Sequence, residues 1–254
     1  MEITFNGKVV LITGASRGIG AATVRLFAES EATVVIHYHK NKQAAESVIT
    51  SLPGPNHSLS QADMAKPDEL KEMVSRVVKK YGRIDILVNN AGVYEDLDMA
   101  RISFDEFRNY WEHTIRINLT GSAQLSKLVS DEMIQAGGGK IVNVTSRGAF
   151  RGEPTAWAYG AAKAGLNATG QSMAKALAKY GIHVFTLAPG FVETDMTTTC
   201  LAGEKRKEIE SQSPLNRIAQ PEEIARAILL LAADGNEYMT GCILDMNGAS
   251  YLRT

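Results

Sequence analysis

"TGASRGIG", residues 13–20, decides the fold. It follows the apolar run KVVLIT (8–13) and opens a segment of helical composition at 18–30. Its glycines, Gly14, Gly18 and Gly20, are spaced GxxxGxG. Such a turn lets the backbone close tightly on a pyrophosphate and aims a helix N-terminus at the anion. One glycine at a strand-to-helix junction is commonplace. Three within seven residues, at the first such junction, point to a dinucleotide site.

Working outward, apolar runs suited to buried strands recur at 8–13, 32–38, 57–60, 84–88, 140–145, 182–188 and 242–246. Most lack polar alternation, as strands covered on both faces do. Helical segments fit 18–30, 41–52, 67–81, about 103–136 with an interruption, 156–180 and 221–233. Regular β-α-β alternation predicts an α/β chain: a single-domain Rossmann fold over residues 1–254, doubly wound on a seven-stranded parallel sheet. "QAGGGK", 135–140, reads as a helix stop. The stretch 190–213 has no clear period and reads as a long substrate loop.

The second strand addresses which dinucleotide binds. An NAD site usually places an acid at its end, on the ribose hydroxyls. Here the neighbourhood is IHYHKNK, with no carboxylate before Glu46, and it offers Tyr38, His39, Lys40 and Lys42. Arg17, inside the glycine turn, can pair with a 2′-phosphate. NADP(H) is favoured; NAD(H) stays open.

Composition excludes several classes. Across 254 residues the net charge is −1, with 44% apolar and 22% charged residues, so no basic face for nucleic acid is indicated. The longest apolar run, AILLLAA (227–233), is too short for a bilayer. The start, MEITFNGKVV, lacks the features of a secretory signal, and a cytoplasmic location is expected. Cys200 and Cys242 form no CxxC, and Cys242 reads as a small buried filler. There is no HExxH for a metal and no GxSxG nucleophile. His37 and His39 are expected to share a strand face and to serve packing or phosphate contact rather than a metal. The stripe Phe107, Tyr110, Trp111 and Ile115 reads as core or subunit interface.

"YGAAK" places Tyr159 and Lys163 one helical turn apart, within reach of each other. Tyr38 and Lys42 share the spacing but straddle a strand end, so they need not be neighbours. Spacing alone separates neither pair from chance.

Together, TGASRGIG, NNAG (89–92), IRINLTG with Asn118, VTS with Ser146, YGAAK and PGFVETDM (189–196) resemble the short-chain dehydrogenase/reductase family, from about Gly7 to Gly248. Within it the chain is most similar to the 3-oxoacyl-[acyl-carrier-protein] reductases, including TGCILDMNG near the C-terminus. The resemblance implies hydride transfer between a nicotinamide and a carbonyl or secondary alcohol. It implies Tyr159 as proton donor, Ser146 as hydrogen-bond donor to the substrate oxygen and Asn118 as support for a water relay to Lys163. Lys163 would hold the nicotinamide ribose, and its ammonium would lower the tyrosine pKa. Cofactor contacts would come from Gly14, Ser16, Arg17, Gly18, Ile19 and Gly20, from Tyr38, His39 and Lys40, and from Asp63 and Met64. Asn90, Ala91 and Gly92, with Asn89 beside them, would complete the floor, and Pro189, Gly190, Val192 and Thr194 the nicotinamide side. Asp63 reads equally well as a helix cap; Thr197–Thr199 read as loop surface.

The chain departs from the carrier-protein reductases where they carry docking arginines. Gly137 and Tyr180 stand there, with Lys140, Lys175 and Lys179 nearby. The segment between Gly92 and Asn118 is slightly longer, and Arg147, Arg151, Glu153 and Trp157 flank the serine and tyrosine, predicting a more polar, bulkier pocket. A small polar keto, sugar-like or steroid substrate is therefore the alternative to an acyl one, and a non-catalytic cofactor-binding regulator the alternative to an enzyme. The resemblance implies a homotetramer.

Overall fold

The computed structural model describes residues 3–197 and 203–253. Seven parallel strands form one sheet in the order β3-β2-β1-β4-β5-β6-β7. They are β1 (Val9–Ile12), β2 (Thr33–Tyr38), β3 (Ser58–Gln61), β4 (Ile86–Asn89), β5 (Gly139–Val144), β6 (Ile182–Pro189) and β7 (Ile243–Met246). The chain steps outward from β1 to β3, then returns to pair β4 with β1, at Val10↔Ile86 and Ile12↔Val88. Neighbouring strands therefore lead away in opposite directions at β1 and β4, and a crevice opens above their C-terminal ends.

Helices cover both faces because alternate strand residues point to opposite sides. On one face Val10, Ile12, Val34 and Ile36 pack with Phe27 of α1 (Gly18–Glu29), Ala45 and Val48 of α2 (Lys42–Thr50), and Ile224 and Ile228 of α9 (Pro221–Ala232). On the other, Leu11, Leu87 and Ile141 pack with Leu70 and Met73 of α3 (Pro67–Tyr81) and Leu125 and Val129 of α5 (Ser122–Ala136). Local chemistry sets the helix ends. α3 starts with Pro67 followed by Asp68 and Glu69, and ends with Lys79 and Lys80, matching the helix dipole. α5 stops at Gly137, which takes the left-handed conformation.

The expected interruption near 103–136 is a π-helical turn, Arg116–Gly121, between α4 (Phe104–Ile115) and α5. It carries Asn118 into the interior. Two short or polar helices were not legible in the sequence. α6 (Gly148–Arg151) is a single turn, and α8 (Gly203–Ser211) lies within the stretch expected to be loop. In α8 only Ile209 is buried, so the apolar period that betrays a helix is absent. Thr198, Thr199 and Cys200 lie outside the described residues. No helix among the described residues is long and apolar enough to cross a membrane.

Candidate active site

The crevice above β1 and β4 is a cleft of about 420 Å³. One end meets the glycine turn and the β2 terminus; the other reaches Ser146, Tyr159 and Lys163.

At the glycine turn the backbone is packed too closely for side chains. A Cβ on Gly14 would lie 2.8 Å from the Ala91 Cα, and one on Gly20 2.4 Å from the Gly14 carbonyl oxygen. Gly14 also has φ +61, a conformation glycine adopts at little cost. α1 opens at Gly18 behind Arg17, whose side chain makes no capping bond. First-turn N–H groups thus await an acceptor, a donor set that fits a pyrophosphate. Asn90 holds the turn from below: its Nδ2 donates to the carbonyls of Thr13 and Gly14 at 2.9 and 3.1 Å.

A residue assigned to packing or phosphate contact proves central to the turn. His37 is 1% exposed, and its Nδ1 accepts the Gly14 N–H at 3.0 Å. Nε2 therefore carries the proton and donates to the Ala62 carbonyl at 3.0 Å. Burial drives its pKa down to about 4, which keeps the ring neutral. His39 does not share its environment. β2 ends at Tyr38, and His39 lies beyond it, exposed, 3.7 Å from Asp63. Only the strand's last turnward residue could have signalled this, and a lone histidine in an apolar run carries no such mark.

The other expected cofactor contacts divide. Ser16, Arg17, Gly18, Ile19, Tyr38, His39, Lys40, Asp63, Met64, Asn90, Ala91, Gly92, Pro189, Gly190, Val192 and Thr194 all line the cleft. Tyr38, 6% exposed, also packs into the core. Asp63 uses Oδ1 to accept the Ala65 N–H at 2.9 Å, a turn bond ahead of α3, whose N-cap is Lys66, so Asp63 is not the helix cap that was the alternative to adenine contact. Asn89 is not on the cleft: its Nδ2 donates to Ser126 and Asn143 in the buried layer beneath it. Arg17 and Asp195 pair at 3.5 Å, joining the glycine turn to the loop after β6. Lys42 pairs with Glu46 at 3.3 Å, so the Tyr38–Lys42 spacing has no common purpose.

At the far end, α7 (Trp157–Leu177) carries the partly buried Tyr159 and the buried Lys163, both of which line the cleft. Lys163 is 4% exposed; its Nζ donates to the Val144 carbonyl at 2.9 Å and lies 5.6 Å from the Tyr159 ring centroid. Tyr159 is hydrogen-bonded to Ser146 and packs edge-on against Tyr94 at 5.1 Å. Ser146, just past β5, accepts the Gly148 N–H at 3.0 Å.

Electrostatics correct one expectation. Burial outweighs the bond from Ser146 and, with the carboxylate of Glu153 nearby, raises the Tyr159 phenol to about 12 rather than lowering it. Burial lowers Lys163 to about 8. At neutral pH the protein's own groups thus hold a protonated phenol beside an ammonium. Asn118 makes bonds beyond those expected. Its Oδ1 accepts the Val93 N–H and its Nδ2 donates to the Val93 carbonyl, both at 2.8 Å. Those two bonds pin the loop after β4 to the π-helical turn and leave one N–H and one lone pair of the amide for other partners.

The flanking polar residues also separate. Arg147 is 3% exposed, lies over the Phe191 ring at 5.0 Å, and donates to Ser250 and to Gln212 just beyond α8. Arg151 pairs with Glu153 at 3.6 Å. Trp157 is half-exposed and packs on Phe107, away from the cleft. Lys140, expected near a carrier-docking surface, is buried in ion pairs with Asp234 at 2.8 Å and Glu237 at 3.3 Å. Cys242 is partly, not fully, buried.

The family model described as enoyl-(acyl carrier protein) reductase matches residues 14–248. The 3-oxoacyl-[acyl-carrier-protein] reductase FabG of Thermotoga maritima is 39% identical over 95% of this chain and 97% of its own. That of Chlamydia pneumoniae is 40% identical over 98% of both. The crystal structure of gox2181, 27% identical, superposes with a TM-score of 0.91 over 98% of this chain and 97% of that one. Sheet order, glycine turn and the matches along nearly the whole chain agree: the protein belongs to the short-chain dehydrogenase/reductase family.

Proposed function

We propose that the protein is an NADPH-dependent reductase of a ketone, 3-oxoacyl-like, with Tyr159 as the proton donor. The observation that supports it best is the shared cleft, in which an uncapped helix N-terminus stands at one end and a protonated tyrosine–lysine pair at the other.

NADPH, when bound, would supply the hydride; the glycine turn and the α1 N-terminus would hold its pyrophosphate, and Arg17 with Lys40 its 2′-phosphate. As the carbonyl carbon is reduced, charge develops on oxygen and demands donors. Ser146 donates a hydrogen bond to that oxygen. Tyr159 Oη gives up its proton to it. Lys163, an ammonium below about pH 8, stabilises the phenolate left behind. Asn118 keeps Gly92 and Val93 in place against Lys163; a Cβ on Gly92 would sit 3.2 Å from Asn118 Oδ1 and 3.6 Å from Lys163 Nζ.

The acyl reading follows the names of the relatives. A small polar keto or sugar-like substrate is the second reading, and Lys140 favours it: buried in ion pairs, it offers nothing to an acidic carrier and leaves only the exposed Lys175 and Lys179. NADPH oxidation measured with acetoacetyl thioesters, on carrier and free, and with polar ketones separates the two. Turnover of the carrier-bound thioester above all others supports the acyl reading; indifference to it supports the second. The chain is further proposed to act in the cytoplasm as a homotetramer.

A further inference from the structure

α7 bears both Tyr159 and Lys163, yet its own sequence gives it no start signal. The residue before its first turn is Ala156, which has no side-chain oxygen and makes no capping bond. An ordinary N-cap accepts the N–H groups of the second and third helical residues. In α7 those residues are Ala158 and Tyr159. Their acceptor comes from elsewhere. The phenol oxygen of Tyr110, on α4, accepts the Ala158 N–H at 3.2 Å and also the backbone N–H of Tyr159. Tyr110 is 5% exposed, so these N–H groups would not find water in its place.

α4 is equipped to serve as the strut. It begins with a complete capping box, in which Ser103 accepts the Glu106 N–H at 3.3 Å and Glu106 accepts the Ser103 N–H at 2.8 Å. One turn before Tyr110, Phe107 packs edge-on against Trp157, the first residue of α7, at 6.0 Å between centroids. Ring packing and the phenol cap thus tie α4 to the same first turn of α7.

We propose that Tyr110 is a positioning residue of the reductase: it caps the catalytic helix in trans and fixes Tyr159 against Ser146. The inference rests on the reading of Tyr159 as proton donor. Tyr110→Phe removes one oxygen and keeps the ring. Without the cap the first turn of α7 frays, Tyr159 loses its bond from Ser146, and that bond is what opposes the rise of its phenol pKa. The variant is expected to lose 3- to 10-fold in kcat, with the Kd for NADPH unchanged. Carbon-13 NMR of ζ-labelled tyrosine at pH 7 is expected to show the Tyr159 resonance moved from its parental position as the bond from Ser146 is lost. Adding Ala156→Ser gives α7 an N-cap of its own and is expected to recover kcat and the resonance position in the Tyr110→Phe background. Parental kcat and an unmoved Tyr159 resonance in Tyr110→Phe would overturn the proposal, as would a fall in melting temperature alone. Failure of the donor reading shows separately, as turnover surviving in Tyr159→Phe, and the Tyr159 resonance still decides the role of Tyr110.

Discussion

Desolvation moves Tyr159, partly buried, and Lys163, buried, in opposite directions because it penalises whichever form is charged. The phenol stays protonated to about pH 12 and the ammonium to about pH 8. The rate of ketone reduction is accordingly expected to hold level below pH 8 and to fall above it, as Lys163 loses its charge; a kcat/KM profile checks this. Tyr159→Phe is expected to cut turnover at least a thousandfold while NADPH affinity, read by fluorescence titration, changes little. His37 acts at lower pH. Its folded pKa, about 4, lies below the ordinary 6.5, so between those values the unfolded chain binds the extra proton and stability falls as the solution is acidified. Protonation of Nδ1 also ends its acceptance of the Gly14 N–H. Thermal melts from pH 7 to 4.5 are expected to show a falling midpoint, while NADPH affinity holds until the pH approaches 4; a flat melting profile would remove His37 from this role. The sequence did not disclose it, because only the tertiary approach of Gly14 distinguishes His37 from a packed histidine.

Among elements, α8 is the piece the sequence concealed, and its anchorage suggests what it does. Lys205 reaches Asp96 at 3.2 Å in the loop after β4, and Ile209 packs with Tyr94 and Phe191. Beyond its end, Gln212 receives Arg147, the residue after Ser146. The helix is thereby strapped to both loops that flank Tyr159. Arg147→Met is expected to raise KM for the ketone several-fold and leave NADPH binding intact, as initial-rate kinetics would show; an unchanged KM would dissociate α8 from substrate binding. The strands and long helices were readable because their apolar spacing is dictated by the sheet that buries them. α8 faces solvent on most sides, so its residues answer to no such period, and its polar run KRKE resembles loop. The candidate set was legible as the association of Asn118, Ser146, Tyr159 and Lys163 at family spacing. The bonds of Asn118 to Val93 were not, because they depend on a loop brought close only in three dimensions.

For the whole molecule, the exposed large apolar side chains include two groups, with others such as Ile134, Tyr180, Leu215 and Leu252 elsewhere. Phe104, Trp111 and Trp157 are 75%, 36% and 52% exposed along α4 and the start of α7, and Leu230, Tyr238 and Met239 stand out near α9 and β7. Two such faces suit an assembly with two kinds of contact, as a homotetramer with paired axes has. Sedimentation is expected to give four chains per particle, and Trp111→Glu to give a smaller one; a monomeric parent would refute both. The long α4–α5 helix also bears on how the gene can vary. Each residue of an α-helix turns the chain by about 100°, and the π turn at Arg116–Gly121 carries a surplus residue without shifting the phase between its two halves. In genetic terms the turn is a place where length can change. An i→i+5 turn takes up one extra residue, so deleting a single codon there would restore a regular helix with Leu125, Val129 and Met133 still facing the core, and would alter chiefly the local backbone that presents Asn118.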